Sequence, residues 1–165
     1  MARFLLGAIA FCLLAISANA RVQGQGQDFE IHGHVYCDPC RLQFKTNLSY
    51  PLDAMQLKIE CKNRDNKTTT FTSETKSRPD GYFVVKVPGD HEEDICEAIL
   101  TPNKHPQCNE IMATRDRDQV SLADNAGVVG NVRYTNDLFY MTKDADNRCE
   151  AIYESLWDDV SEQDY

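Results

Sequence analysis

Gly33-His34-Val35-Tyr36-Cys37-Asp38-Pro39-Cys40-Arg41 is the stretch on which the reading of this chain turns. Its first half continues an alternation that begins at Phe29. Phe29, Ile31, Gly33 and Val35 fall on one side, and Glu30, His32, His34 and Tyr36 on the other. A period of two is the pattern of a half-buried strand. Its second half is a C-x-x-C. Pro39 has no amide hydrogen and fixes its own φ, so the chain is expected to bend there.

The same period recurs downstream. Met55, Leu57, Ile59 and Cys61 alternate as a second strand. Asn63 to Lys67 is a polar loop, and Thr68 to Glu74 is β-prone and expected to pair back as a hairpin. Pro79-Asp80-Gly81 is a turn, because proline suits the first central position and glycine tolerates positive φ. Tyr82 to Val87 and Ile95 to Leu100 are further strands, and Val120 to Leu122 and Val132 to Tyr134 are shorter ones. At the end the period changes. Cys149, Ile152, Tyr153, Leu156 and Trp157 fall at helical spacing. The expected fold is all-β: an antiparallel β-sandwich or barrel of about seven strands, with a short C-terminal helix and three disulfides.

The two ends fall outside that domain. Arg3, the apolar run Phe4 to Ile16 and the small residues Ala18 and Ala20 read as a secretory signal peptide over 1–20. The run is too short for a bilayer core, which needs roughly 20 apolar residues. Residues 21–28, rich in Gln and Gly, are expected to form a flexible arm. The domain covers 29–157, and 158–165 is an acidic tail. The chain carries 7 cysteines, and Cys12 leaves with the signal. Cys37, Cys40, Cys61, Cys96, Cys108 and Cys149 stay behind. An even set in a secreted domain is a disulfide framework, whose connectivity spacing alone does not give. Losing Arg3 leaves 16 bases against 26 acids, a formal −10. Such a chain repels phosphate backbones and anionic bilayers, so neither nucleic acid nor membrane insertion is expected.

Few motifs point to chemistry. Cys37 and Cys40 suggest a redox pair, but a thioredoxin-type thiol sits at a helix start, and this one follows a strand. Zinc would need a second Cys/His pair at suitable spacing, and Cys61, Cys96 and Cys108 stand singly. His32 and His34 share one strand face. His91 and His105 fall in polar loops, and all four read as solvated. Asp90, Glu92, Glu93 and Asp94 lack the spacing and central glycine of a calcium loop. The sequence has no Gly-x-Ser-x-Gly, His-Glu-x-x-His or Gly-rich phosphate loop. No metal, cofactor or catalytic residue is expected. Asn47-Leu48-Ser49 and Asn66-Lys67-Thr68 are glycosylation sequons.

Residues 33–41 resemble the signature of the Ole e I family of secreted pollen proteins, Gly-x-Val-Tyr-Cys-Asp-x-Cys-Arg. Asp80-Gly81-Tyr82-Phe83, Gly89 to Glu92 with Cys96, and Asn131 to Asn136 with Leu138-Phe139 are similar to its later segments. Two positions depart from the pattern: His32, where the family has Glu, Gln or Thr, and Asp137, where many members have proline. The resemblance implies the pairs Cys37–Cys108, Cys40–Cys149 and Cys61–Cys96. It also implies a secreted, glycosylated, non-enzymatic protein tied to pollen hydration, germination or tube growth, with some members allergenic. A receptor-kinase ectodomain or a cell-wall component is the implied partner. Two alternatives stand beside it: a wall-associated structural protein or inhibitor, and an enzyme, either a thiol oxidoreductase using Cys37 and Cys40 or an unrecognised hydrolase.

Overall fold

A computed structural model describes residues 28–161, with side chains to Leu156. The expected signal peptide, the arm up to Gln27 and the tail from 162 lie outside the described residues. The first strand, β1 (Phe29–Asp38), is the axis of the fold. Its first half pairs with β5 (Tyr82–Val87), antiparallel, and with β9 (Val132–Tyr134), parallel. Its second half pairs with β2 (Tyr50–Pro51), antiparallel, and with β10 (Leu138–Thr142), parallel. The strand β7 (Cys108–Glu110) extends β10. A second, antiparallel sheet has the order β4-β3-β6-β8, built from β4 (Thr69–Lys76), β3 (Gln56–Asn63), β6 (Asp94–Leu100) and β8 (Arg117–Val120).

The described residues thus hold 10 strands, three more than the sequence shows. The additions have a physical reason. Leu138-Phe139-Tyr140-Met141 is buried on both faces, so β10 has no alternation to read. The strands β2 and β7 are 2 and 3 residues long, too short to carry a period. The alternation of β1 is real: Phe29, Ile31 and Val35 are buried, and His32 and His34 face outward. Against them pack Phe83, Val85 and Val87 from β5 and Leu57, Ile59, Ala98 and Leu100 from the second sheet. Each large aliphatic buried this way contributes about 1.5–3 kcal/mol.

Gly33 sits on the core side of β1 because nothing larger fits. A Cβ there would lie 2.6 Å from the Phe83 ring and 2.2 Å from Thr135 Oγ1. Gly33→Ala is expected to cost about 1–3 kcal/mol through overpacking, seen as a lower thermal midpoint. An unchanged midpoint would mean the ring and hydroxyl move aside freely. Gly81, at φ +78, closes the expected turn and lies against β1: its carbonyl accepts from Val35 N at 2.9 Å.

The C-x-x-C forms a structured corner. Asp38 is fully buried; its Oδ1 accepts from Cys40 N at 2.9 Å and its Oδ2 from Gln43 N at 2.7 Å. Arg41 takes a left-handed φ of 59 and donates to the Glu110 carboxylate at 2.7 Å and to the carbonyls of Thr142 and Lys143. The Pro39 carbonyl accepts from Asp146 N at 3.0 Å. A 3-10 turn (Asn147–Cys149) then leads into α1 (Glu150–Ser161), which runs into the stretch read as acidic tail. Asp146 caps that turn, and its carboxyl is drawn down to about 2 by hydrogen bonds from the Arg148 side chain and backbone. The start of α1 is docked: Tyr153 Oη donates to the Cys40 carbonyl at 2.6 Å, while Leu156 is 38% exposed.

Candidate functional site

The outward residues of β1 meet aromatic neighbours supplied by three other strands. His32 lies beside Tyr134 of β9 and Tyr82 of β5, at 5.5 and 5.7 Å between ring centroids. His34 lies 5.2 Å from Tyr82 and stacks on Tyr36 at 5.8 Å. Tyr36 in turn stacks on Phe139 of β10 at 6.1 Å. A continuous imidazole–aromatic stripe therefore crosses the outer face of the six-stranded sheet. Cross-strand aromatic contacts of this kind are each worth about 0.5–1.5 kcal/mol beyond area burial.

Charged groups fix the stripe. His32 bonds the Tyr82 hydroxyl through Nδ1 and the Glu30 carboxylate through Nε2, at 3.3 Å. His34 faces Asp137 at 3.9 Å. The Lys45 ammonium lies 4.2 Å above the Tyr36 ring and donates to its hydroxyl at 2.8 Å, a bond that holds the lysine above its usual pKa. Tyr134 is the exposed end of the stripe, at 75%, and the His34 side chain is 40% exposed.

At the Phe139 end the stripe opens into a groove of about 500 Å³. Its walls include Gln43, Phe44, Lys45, Arg115 and Asp137. Phe44 is 42% exposed, and the Gln43 carboxamide nitrogen is buried without a partner. Arg117 is committed to Asp116 and Glu97, and Asn136 to Asp118, so they stiffen the wall. This surface offers ring faces, an amide donor and cations of both lysine and arginine type. Those are the groups of a recognition site. Among the described residues no serine or threonine hydroxyl is hydrogen-bonded to an imidazole, the contact that activates a nucleophile.

The cysteines lie elsewhere. Cys37 bonds Cys108, Cys40 bonds Cys149 and Cys61 bonds Cys96, with Cα separations of 5.9, 5.5 and 4.0 Å. Cys37 and Cys40 thus point to different partners, and all six are buried. The sequons lie on the surface: Asn66 and Asn47 are exposed, and Asn66 Oδ1 accepts from the Thr68 hydroxyl at 2.7 Å. His32 and His34 share a face as the alternation indicates. The stripe they enter is invisible to local reading, because Tyr82, Tyr134 and Phe139 reach it only through strand register.

Two expectations are corrected. His32 is not a solvated strand histidine: its side chain is only 16% exposed, and its two ring nitrogens face the Tyr82 hydroxyl and the Glu30 carboxylate. His91 is not a solvated loop histidine. Its side chain is only 9% exposed, and Nδ1 lies 2.7 Å from Asp94, itself buried to a similar degree. The acidic run 90–94 hides this, because its polar neighbours give the whole segment the look of open turn.

Comparison with known proteins places the chain. The family described as "Pollen protein Ole e 1 like" matches residues 27–157. The anther-specific protein LAT52 of Solanum lycopersicum is 33% identical over 156 residues, covering 94% of this chain and 96% of that protein. The pollen allergen Che a 1 of Chenopodium album is 34% identical, covering 92% and 90%. The crystal structure of the major plantain pollen allergen Pla l 1 superimposes with a TM-score of 0.66 at 26% identity, over 74% of this chain and 100% of that one. Signature, two-sheet fold and relatives agree: the chain belongs to the Ole e 1-like family of pollen proteins.

Proposed function

We propose that this protein is a secreted, non-enzymatic binding or signalling factor of pollen hydration, germination or tube growth. It engages a receptor-kinase ectodomain or a cell-wall component through the outer face of β1. The observation that carries this reading is the imidazole–aromatic stripe ending in the exposed Tyr134 and opening at its other end into the Phe44–Arg115 groove. The two departures from the family pattern, His32 and Asp137, both belong to this surface, which suits a recognition site particular to this member. Glycans at Asn66 and Asn47 complete the secreted form. The wall-polymer and oxidoreductase readings have less support. The sequence lacks polymer repeats, and Cys37 and Cys40 sit in separate buried bonds.

The test is binding of the secreted protein to purified pollen receptor-kinase ectodomains and to cell-wall fractions at micromolar concentration. Tyr134→Ala is expected to weaken that binding about tenfold or more, as loss of an interface tyrosine does, with only the small drop in thermal midpoint that losing its contact with His32 brings. Absence of binding to both materials would overturn the proposal. Binding that Tyr134→Ala leaves intact would move the site off this face.

A further inference from the structure

One cluster lies apart from the stripe. Cys61 on β3 and Cys96 on β6 are directly opposite one another in the antiparallel register. The turn before β6 brings His91 over them, held by its backbone N–H to the Leu122 carbonyl at 2.9 Å. A nitrogen of its ring and the two sulfurs all lie within 4.8 Å of one another. The ring is oriented by a second layer. Nδ1 faces Asp94 Oδ2 at 2.7 Å, and that oxygen also accepts from the Thr70 hydroxyl at 2.6 Å. An ionised carboxylate only accepts, so in the neutral ring Nδ1 carries the proton and Nε2 the lone pair. That Nε2 is buried and has no hydrogen-bond partner. Phe71 closes one side, 6.0 Å from the ring.

Two sulfurs and an imidazole nitrogen, with a carboxylate behind the imidazole, are the donor set of a zinc-class cation. A buried lone pair without a donor is otherwise a cost, since unpaired buried polar atoms are rare. We propose that Cys61, Cys96 and His91 form a binding site for a soft divalent cation of the zinc class in the reduced chain, so that metal and disulfide are alternative occupants of one place. The exchange balances. A dithiol reductant gives two electrons and two protons to the Cys61–Cys96 bond and becomes a cyclic disulfide. The cation then displaces the two thiol protons and takes the Nε2 lone pair, while Nδ1 keeps its proton on Asp94. Before the bond closes, the nascent chain is in the same reduced state.

Cobalt(II) is the probe, because tetrahedral thiolate coordination gives it intense visible bands. The full secreted chain is reduced with a phosphine, which competes less for the metal than a thiol does. Reduced wild type is expected to take up one cobalt ion with those bands, and the oxidised chain none. Cys61→Ser/Cys96→Ser keeps four other thiols and is expected to lose the bands. His91→Ala is expected to bind roughly tenfold to a hundredfold more weakly. Absence of bands in reduced wild type, their survival in the double serine variant, or an unchanged His91→Ala affinity would each overturn the proposal. Should reduction unfold the chain, zinc present during reduction is expected to preserve the far-UV β signal in wild type and not in the double variant. Equal loss in both would also overturn it.

Discussion

Cys37→Ser/Cys108→Ser is expected to be the most damaging paired substitution, lowering stability by about 4 kcal/mol. The two half-cystines are 71 residues apart, and freeing a loop of that length restores roughly 4.4 kcal/mol of chain entropy to the unfolded state. Both sulfurs are fully buried between β1 and β7, so two serine hydroxyls would also enter an apolar site. Domains of this size have about 5–15 kcal/mol in total, so the variant should unfold at much lower urea. Urea unfolding of the disulfide-bonded chain measures it. A loss under about 1 kcal/mol would show that the strand pairing alone holds this end. The Cys40–Cys149 bond closes a longer loop, 109 residues, yet what it ties down is a C-terminal helix outside both sheets, held at Tyr153 by a bond to the Cys40 carbonyl. Its removal is expected to raise amide exchange from 147 to 161 while the sheets keep their protection.

Arg133→Met is expected to cost about 2–4 kcal/mol. Arg133 is buried, and its guanidinium donates to the carbonyls of Ser121 at 3.1 Å, Ala123 at 3.1 Å, Gly130 at 2.8 Å and Val132 at 3.1 Å. It also lies 4.7 Å over the Phe29 ring. It joins β9 to the segment after β8, at a place where the two sheets share no ladder. Methionine fills much of the volume but removes all of these donors, leaving Ala123 only a long bond from Ala126 N at 3.4 Å, and each buried unsatisfied group costs about 1–3 kcal/mol. Arg133→Lys is not expected to rescue, since a point ammonium cannot span four acceptors set around a planar fork. Thermal unfolding of both variants decides it. A rescued lysine variant would show that the charge, and not the fork, is what matters.

Much of this architecture is legible in local pattern. The alternation of 29–36, the turn at 79–81 and the 55–74 hairpin each need only neighbours in sequence. What is not legible is set by register across distance. Leu138 to Met141 shows no period because both of its faces are covered. The parallel pairing of Val35 with Leu138 has no turn to announce it. Spacing does not say which sulfur meets Cys37. The candidate surface divides the same way: His32 and His34 are legible as one face, whereas Tyr134 and Phe139 join them only once β9 and β10 have been laid beside β1.

That placement of β1 dictates when the protein becomes able to fold. The strand made first can pair with β2 and β5 early, but it finds its parallel neighbours only among residues 132–142, so the six-stranded sheet is completed only when almost the whole chain has been made. Such distant contacts make folding slow. During the wait Cys37 and Cys40 are close together in sequence, while their mates stand 71 and 109 residues downstream. A Cys37–Cys40 bond, should it close first, has to be exchanged before the native pairs form, so oxidative refolding of the reduced chain is expected to speed up with a disulfide isomerase.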